Sequence, residues 1–297
     1  MKATAASAAR GAGGHYREKQ VLVRVIWTVI IGAFALTMIV PFLWMVSASL
    51  KRPLDVMKLP IDWIPDYWYP QNYMKVWNVG GVAVRDYHFG LAYFNSLKIA
   101  FINLTGSVLT STLAGYAFAK LKFRGSHVLF VVVLISMMIP FQITMIPTYL
   151  LLNDLHILNT YAGLMIPRMT NAFGIYFMRQ AFLGVPNDLL DAGRIDGLTE
   201  FGIYRKVAIP VVGASIATLA VFHFMAGWND FMWPMLMTNS QTMQTLPVGL
   251  ALFQGEHTSE HGPMFAGAVL SILPIFIAFL CAQKTFIQGI ALSGIKG

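Results

Sequence analysis

The sequence predicts an all-α membrane protein with six transmembrane helices. Of the 297 residues, 57% are hydrophobic and 11% are charged, whereas the charged share of a soluble protein is usually about 25%. A mean hydropathy of +0.62 leaves too little polar side chain to cover a water-soluble surface. Apolar runs of about 20 residues, long enough to cross a bilayer as a helix, recur along the whole chain.

Six such runs define the predicted spans. Their approximate limits are Val25–Val46, Leu91–Phe118, Val128–Leu152, Tyr161–Phe182, Val207–Trp228 and Met264–Ile287. The first run is too long for a cleaved signal peptide and lacks a small-residue cleavage site, so we expect it to remain as a helix. The chain then divides into residues 1–20, a first span with an outer loop over 21–90, and a five-helix core over 91–297 with a cytoplasmic loop at 184–210.

The basic residues predict the orientation of these spans. With a cytoplasmic N-terminus, fourteen of the 21 Lys and Arg residues lie in cytoplasmic segments and five in outer segments, while Lys98 and Arg168 lie inside spans. The positive-inside rule therefore places both termini in the cytoplasm. The opposite orientation would export the basic cluster at residues 120–124. The net charge of +8 is explained by this distribution and does not indicate nucleic-acid binding.

The segments outside the spans differ in composition. Residues 1–20 are mostly Ala, Gly and Ser with scattered charges, so we expect a disordered cytoplasmic tail. The aromatic residues of the outer loop from Ser47 to Gly90, which stand among prolines, include Trp63, Tyr67, Trp68, Tyr69, Trp77 and Tyr87. They fit either an aromatic belt at the membrane interface or a lip on which sugars stack.

Several kinds of chemistry are not supported by the sequence. The single cysteine, Cys281, excludes an internal disulfide, and the chain has no Gly-Lys dipeptide and hence no phosphate-binding loop of the Walker type. Residues 257–261 match the H-x-x-E-H zinc pattern, but they lie in a short outer loop with no evident third ligand. We expect no catalytic residue and no metal or other cofactor in this chain.

The segment between the fourth and fifth spans is more polar than the other loops and is predicted to form two short helices. Asn187 is expected to cap the first helix, which continues to about Arg194. Gly197 supplies the turn, Thr199 caps a second amphipathic segment, and Pro210 permits a new helix to begin. The residues expected to share a face are Leu190 with Arg194 in the first helix and Phe201, Tyr204 and Ala208 in the second.

Such a hairpin could lie on lipid headgroups or dock against a protein partner. The carboxylates of Asp191, Asp196 and Glu200 would face anionic lipid unfavourably, which favours the partner. Small residues at Ala192 and Gly193 would allow that partner's surface to approach closely.

The residues of this loop and several elements elsewhere in the chain resemble those of a known family. The sequence Asp191-Ala192-Gly193, followed by Asp196-Gly197 and then Pro210, is similar to the EAA loop of binding-protein-dependent ABC importer permeases. Five further elements resemble the carbohydrate-uptake permeases, the group that includes the G subunit of the maltose transporter. These elements are Asn95-Ser96-Leu97, Gly115-Tyr116-Ala117-Phe118-Ala119, Trp228-Asn229-Asp230-Phe231, Leu246-Pro247-Val248-Gly249-Leu250 and Gly294-Ile295-Lys296-Gly297. The resemblance extends from about Asn95 to the C-terminus.

The resemblance implies the ABC importer type I permease fold and a coupling role for the loop. In this family the loop docks in a groove of a separate ATPase subunit. By position, the coupling residues are Asp191, Ala192, Gly193, Arg194, Asp196, Gly197, Phe201 and Pro210. The chain departs from the family pattern with Asp at 191, Gly at 193 and Ala at 214, and a glycine inside a helix costs about 1 kcal/mol relative to alanine.

Five polar residues in or near the spans are candidates for the substrate pathway, namely Lys98, Gln142, Arg168, Asn171 and Asn229. Lys98 and Arg168 either extend their charged ends to the interface or line the pathway. If they line it, two cations without an acidic partner inside the spans would suit a substrate with carboxylates, such as a uronate oligosaccharide. Gln142 lies between Pro140 and Pro147, which predict a kink in the third span, either a fixed bend or a hinge.

Taken with the resemblance, these residues predict a permease subunit of a sugar-importing ABC transporter in a bacterial inner membrane. The implied partners are a second homologous permease subunit, two ATPase subunits that carry ATP and Mg²⁺, an extracytoplasmic solute-binding protein and a saccharide. One alternative is an ion-coupled secondary transporter, which normally carries acidic residues within its spans. A second is a membrane hydrolase built on His257 and His261, which would lack a nucleophile.

Overall fold

Every regular element in the described part of the chain is a helix, and none of these residues is in a β-strand. The structure is a computed structural model that describes the backbone of residues 2–77, 88–256 and 261–293, and the side chains of residues 20–77, 88–251 and 261–283. The α-helices are α1 (Lys2–Ser49), α2 (Gln71–Val76), α3 (Phe89–Lys120), α4 (Ser126–Met138), α5 (Phe141–Asp154), α6 (Tyr161–Met165), α7 (Ala172–Leu183), α8 (Asn187–Ile195), α9 (Glu200–Ile203), α10 (Ile209–Val211), α11 (Gly213–Trp228), α12 (Met232–Met237), α13 (Leu246–Glu256) and α14 (His261–Ser293).

The first helix is longer than one membrane crossing requires. Its segment Gln20–Ser49 is long and apolar enough to be a span. Residues 2–20, for which the sequence predicted disorder, continue the same helix. Five of the first ten residues are alanine, the residue with the highest helix propensity, which accounts for the difference.

Three helices could each cross a membrane alone, and two more crossings are possible as bent pairs. The single helices are Gln20–Ser49, Phe89–Lys120 and His261–Gln283, which correspond to the first, second and sixth predicted spans. The bent pairs are α4 with α5, at 101°, and residues 200–211 with α11, at 81°. The described residues therefore contain three to five candidate spans, and the predicted number of six stays a prediction.

The third predicted span is divided at Pro140. Ile139 has extended backbone angles, φ −82° and ψ 115°, as expected for a residue that precedes proline. Helix α5 begins at Phe141, while Pro147 lies inside that helix. The predicted kink is thus a complete break between two helices.

The fourth and fifth predicted spans are also not continuous helices. In the fourth, a 3-10 turn, Ile166–Arg168, separates α6 from α7. Asn171 then accepts a hydrogen bond from the Gly174 N–H (3.1 Å) and so begins α7 as its N-cap. In the fifth, the helix ends at Val211 and a new one starts at Gly213.

Helix α3 lies at the centre of the fold, between α7 and α11. Small residues allow the close packing: a methyl group added at Gly115 would lie 2.8 Å from the Arg179 backbone nitrogen, and one added at Gly227 would lie 3.3 Å from Ala100 Cα. A buried cluster around Tyr116, Phe182 and Tyr204 joins α3 and α7 to the segment between α7 and α11.

The outer loop is irregular over residues 50–70, as the sequence predicted. Trp63 packs edge-on against Trp44 (5.8 Å between ring centroids) and stays more than half exposed, as do Tyr67 and Trp68. This exposure fits both the aromatic belt and the sugar-stacking lip. Tyr87, His257 and Glu260, and the terminal residues 294–297, lie outside the described residues.

Candidate functional site

The loop between α7 and α11 folds as a helical hairpin, defined here as residues 187–208. Helix α8 ends at a turn in which Gly197 has φ +78°. The Gly197 N–H donates to the Arg194 carbonyl (3.0 Å) and the Leu198 N–H donates to the Gly193 carbonyl (3.0 Å). These two bonds form a Schellman motif, which requires a left-handed residue at the position of Gly197. The predicted turn residue is confirmed.

The second arm of the hairpin begins at Thr199, also as predicted. Its hydroxyl oxygen accepts a hydrogen bond from the Gly202 N–H (3.2 Å) and caps α9. A π-helical turn, Tyr204–Ala208, follows directly and changes the angular spacing of the side chains. Tyr204 and Ala208 are buried while Phe201 is 63% exposed, so the three do not share one buried face as predicted, although the rings of Phe201 and Tyr204 pack with their centroids 5.7 Å apart.

The first arm of the hairpin is attached to the end of α3. Pro186, not Asn187, occupies the cap position of α8, and Asn187 is its first residue. The side-chain oxygen of Asn187 instead accepts a hydrogen bond from the Lys120 ammonium group (2.8 Å), which also donates to the Val185 carbonyl (2.6 Å). The polar side chain predicted to cap a helix thus joins two helices.

The second arm is attached to α3 at two further places. The Tyr204 hydroxyl donates to Thr112 Oγ1 (2.9 Å) in a buried position, and the Tyr116 hydroxyl donates to a carboxylate oxygen of Glu200 (3.3 Å). The rings of Tyr116 and Tyr204 pack with their centroids 5.3 Å apart. The inner face of the hairpin is therefore bound to the central helix by packing and by hydrogen bonds.

One arginine connects the two arms on the outer face. Arg194 donates to Asp191 Oδ1 (2.5 Å) and to Glu200 Oε1 (2.8 Å). The hydrogen bonds from Glu200 and then Asp191 raise the pKa of Arg194 above its ordinary value, so its charge is retained at physiological pH. Leu190, predicted to share a face with Arg194, is buried, whereas Arg194 extends along the surface to reach these carboxylates.

The small residues of α8 point in opposite directions. Ala192 is exposed, as a docking surface would require. Gly193 is buried, and a methyl group added there would lie 3.3 Å from Ile203 Cγ1 and 3.6 Å from Leu198 Cδ1. Its small size serves packing between the two arms of the hairpin, and the expectation that Gly193 faces a partner was wrong.

The outward surface of the hairpin is both apolar and acidic. Leu189 is 46% exposed, Ile195 87% and Phe201 63%. The exposed carboxylates of Asp188, Asp191 and Asp196 lie among them. Sequence reasoning identified Phe201 but missed Leu189 and Ile195. Two large apolar residues on the exposed side of a short helix were the signal that could have identified them.

A second polar cluster forms where the third and fourth predicted spans are broken and α11 ends. Arg168 pairs with Asp230 (2.9 Å between Nη2 and Oδ2), and its guanidinium carbon lies 4.0 Å from the ring centroid of Phe141. Asp230 Oδ1 also accepts a hydrogen bond from the Trp233 backbone N–H (3.4 Å). Arg168 thus has an acidic partner, which lies just after the fifth predicted span and not inside a span, where none was expected.

Of the other candidate pathway residues, Gln142 and Asn229 are chain neighbours of Phe141 and Asp230 in this cluster, while Lys98 contacts a different residue. Lys98 is exposed, with its ammonium nitrogen 3.5 Å from the ring centroid of Tyr161. Gln142 and Asn229 are exposed, and Asn171 is the N-cap of α7. The structure thus gives Asn171 a local structural role and leaves a pathway role for Lys98, Gln142 and Asn229 as a prediction.

One ionisable residue in the apolar interior was not singled out from the sequence. His223 of α11 lies against Ser107, halfway along α3, with 3.0 Å between His223 Nε2 and Ser107 Oγ. An ionisable side chain in the middle of an apolar run is rare and indicates a specific structural or functional role. Here the bond holds α11 against α3.

The chain matches the family model described as the inner membrane component of binding-protein-dependent transport systems, over residues 107–289. That region includes the hairpin, the Arg168–Asp230 pair and most of α14.

Three relatives are similar over much of their length. The arabinooligosaccharides transport system permease protein AraQ of Halalkalibacterium halodurans is 35% identical over 275 residues, which cover 91% of this chain and 96% of that protein. The lactose transport system permease protein LacG of Rhizobium radiobacter is 33% identical, over 67% of this chain and 73% of LacG. The sn-glycerol-3-phosphate transport system permease protein UgpE of Salmonella typhi is 30% identical, over 79% and 84%.

A solved structure has the same fold. It is the crystal structure of a bacterial ABC transporter involved in the import of the acidic polysaccharide alginate, which aligns with a TM-score of 0.77 at 24% identity over 89% of this chain and 96% of that one. The family match and the relatives together decide the classification. This chain belongs to the family of binding-protein-dependent transport system inner membrane components.

Proposed function

We propose that this chain is the membrane-spanning permease subunit of an ABC importer that moves a sugar or oligosaccharide into the cytoplasm. Two relatives are named for arabinooligosaccharides and lactose, and the solved neighbour imports alginate. UgpE, a third relative, is named for a phosphate ester of glycerol, so the cargo is drawn from hydroxyl-rich compounds that are neutral or acidic.

The observation that supports this role best is the arrangement of the hairpin. Its inner face is bound to α3 through Lys120, Tyr204 and Glu200, while its outer face exposes Ile195 and Phe201 beside carboxylates. An exposed patch of this kind in a region rich in charge is typical of a protein interface. A partner that binds the outer face can therefore displace α3 through the inner face.

The proposed partner at the hairpin is an ATPase subunit, which holds the ATP and Mg²⁺ that this chain does not bind. The coupling residues are those predicted from the sequence, with Gly193 supporting the hairpin from inside. Movement of two ATPase subunits towards each other would carry the hairpin and switch access to the pathway. Changing an equilibrium from 1:99 to 99:1 takes about 5.5 kcal/mol of differential binding, which ATP binding at two sites can supply.

The remaining parts of the proposal follow from the family. A second permease subunit encloses the pathway with this one, and a solute-binding protein delivers the cargo from outside. Both termini and the hairpin lie in the cytoplasm, and the chain is a multi-pass protein of the bacterial inner membrane. Fourteen of the 21 basic residues then lie on the cytoplasmic side, which supports this orientation.

The environment of one carboxylate bears on the alternative function, an ion-coupled transporter. Asp230 is an acidic residue near the outer end of a predicted span, where proton or sodium coupling could use a carboxylate. Its pairing with Arg168 at 2.9 Å satisfies that carboxylate within the chain. The pairing disfavours ion coupling at Asp230.

Co-purification from native membranes followed by an uptake assay tests the proposal. We expect an ATPase and a second permease to co-purify with this chain, and uptake of a saccharide to continue when the ion gradients are collapsed. Uptake that stops with the gradients, in a preparation without an ATPase, would support the ion-coupled alternative. Cross-linking from a cysteine at Ile195 should capture the ATPase, with Ile39, an exposed residue of α1, as the matched control.

A further inference from the structure

The breaks of two spans and the end of α11 meet at the Arg168 guanidinium. Phe141 is the first residue of α5 after the break at Pro140. Arg168 ends the 3-10 turn between α6 and α7, and Asp230 lies in the turn between α11 and α12. A guanidinium can hold three separate segments together in this way because it offers five donors in a plane and a flat face for an aromatic ring.

Two buried donors in this cluster have no acceptor within the described part of the chain. They are Arg168 Nε and Trp233 Nε1. Trp233 is only 1% exposed, and its ring lies against that of Phe141, with 5.9 Å between the ring centroids. Both nitrogens are buried beneath the chain's own atoms, so an acceptor from outside the chain would reach them only after a local rearrangement of the cluster, and direct contact would use the exposed part of the Arg168 side chain.

The charged pair is accessible. The side chain of Arg168 is 31% exposed and that of Asp230 is 20% exposed. Charged groups within a membrane protein face the bundle interior or a water-filled cavity, because exposure to lipid is too costly. The accessible side of the pair is therefore expected to face the interior of the assembled transporter, through which a transported molecule would pass.

The pair also limits the charge of that molecule. Arg168 and Asp230 neutralise each other, so the cluster offers donors from the guanidinium and an acceptor from the carboxylate without a net charge. Adjacent sugar hydroxyls match this arrangement, since each hydroxyl both donates and accepts. A carboxylate on the cargo would instead meet the carboxylate of Asp230.

We propose that the cluster formed by Phe141, Arg168, Asp230 and Trp233 is a saccharide subsite of this subunit and that it selects neutral hydroxyl-bearing sugars over acidic ones. This proposal rests on the proposed function and specifies its substrate class. It replaces the uronate preference expected from the sequence, which assumed that Arg168 is unpaired. Arg168 and Asp230 then determine specificity through their combined charge.

The test is ATP-driven uptake by the assembled transporter in proteoliposomes. Two pools of probe are compared: neutral arabino-, galacto- and malto-oligosaccharides, and acidic alginate and pectin oligouronates. We expect the wild type to prefer the neutral pool. In Asp230→Asn the carboxylate acceptor becomes a neutral amide and Arg168 keeps a net charge, so the kcat/KM should fall about tenfold for neutral cargo and rise for acidic cargo. The double variant Arg168→Met with Asp230→Asn should lose the neutral preference without gaining an acidic one.

Arg179→Met is the matched control. Arg179 also stacks on a ring, 4.1 Å from the Phe130 centroid, but donates only to the Phe118 carbonyl within the described residues. Its variant should keep the wild-type ratio of neutral to acidic uptake. Equal losses for both pools in Asp230→Asn, or a wild type that prefers the acidic pool or takes neither, would overturn the subsite. Absence of any ATP-driven uptake or co-purified ATPase in the wild type would contradict the proposed function instead.

Discussion

The Tyr204 hydroxyl of the hairpin donates a buried hydrogen bond to Thr112 Oγ1 of α3, at 2.9 Å. Thr112 in turn donates to the Val108 carbonyl one turn earlier (2.8 Å), so the bond ends on the backbone of the central helix. Because α3 packs against both α7 and α11, a displacement of the hairpin is transmitted to the middle of the fold. This connection makes the hairpin a rigid extension of α3.

Removing that hydroxyl should weaken coupling more than stability. We expect Tyr204→Phe to cost about 1 kcal/mol, since Thr112 keeps its own backbone bond and only one neutral hydrogen bond is lost. The measurement is the ratio of ATP hydrolysed to sugar transported, which should rise because the hairpin moves without α3. Tyr176→Phe on α7 is the control, since Tyr176 makes no side-chain hydrogen bond within the described residues. An equal rise in both variants would contradict the proposed connection.

The turn of the hairpin allows a second matched comparison. Gly197 and Gly125 both have positive φ, +78° and +83°, and a methyl group added to either would meet no described atom within 4 Å. Gly197→Ala and Gly125→Ala should therefore each cost about 1–2 kcal/mol of backbone strain. Of the two alanine variants, only Gly197→Ala should reduce uptake, and Gly197→Pro should reduce it further. In each case we expect the subunit to remain inserted in the membrane. Uptake by Gly197→Pro at the wild-type rate would contradict the coupling role.

Arg194 is expected to act on docking and not on stability. Its side chain is 41% exposed, and the ion pairs of exposed side chains contribute little to folding. Arg194→Gln would remove the ion pairs of Asp191 and Glu200 and loosen the outer face, so binding of the ATPase should weaken and become more dependent on salt. The check is the dissociation constant of the ATPase across a series of salt concentrations. Arg205→Gln should change neither the dissociation constant nor its dependence on salt. It alters an exposed arginine that forms no ion pair within the described residues.

The sequence was most informative where structure depends on neighbouring residues. The Gly197 turn and the Thr199 cap were predicted correctly because both require only local backbone geometry. The break at Pro140 was foreseen as a kink, since proline removes a donor, but its angle of 101° depends on packing between helices.

Contacts between distant segments could not be predicted in the same way. The Arg168–Asp230 pair joins residues 62 positions apart, and neither position in its own span indicates the other. The π turn at Tyr204–Ala208 was likewise not predicted, nor was the exposure of Phe201 beside the buried Tyr204. Such a turn inserts one residue without a compositional signal, so a face predicted from regular helical spacing is lost.

Two glycines should respond in opposite ways to the same substitution. At Gly193 an added methyl group would lie 3.3 Å or more from side-chain atoms of Ile203, Leu198 and Val207, which can shift by a few tenths of an ångström. Since glycine inside a helix costs about 1 kcal/mol relative to alanine, Gly193→Ala should stabilise α8 by up to that amount and keep transport intact. At Gly115 the methyl group would lie 2.8 Å from the backbone nitrogen of Arg179, which belongs to a packed helix and cannot move alone. Gly115→Ala should therefore separate α3 from α7 and cost about 1–3 kcal/mol.

The thermal midpoint of the purified transporter and the amount of subunit in membranes measure both effects. We expect a rise or no change in both for Gly193→Ala and a fall in both for Gly115→Ala. A fall for Gly193→Ala would mean that Ile203 is held too firmly to shift, and that an alanine at this position is incompatible with the packing of the hairpin. Adding Ile203→Val to Gly193→Ala tests this explanation. The smaller side chain should restore the thermal midpoint only if crowding at Ile203 caused the loss.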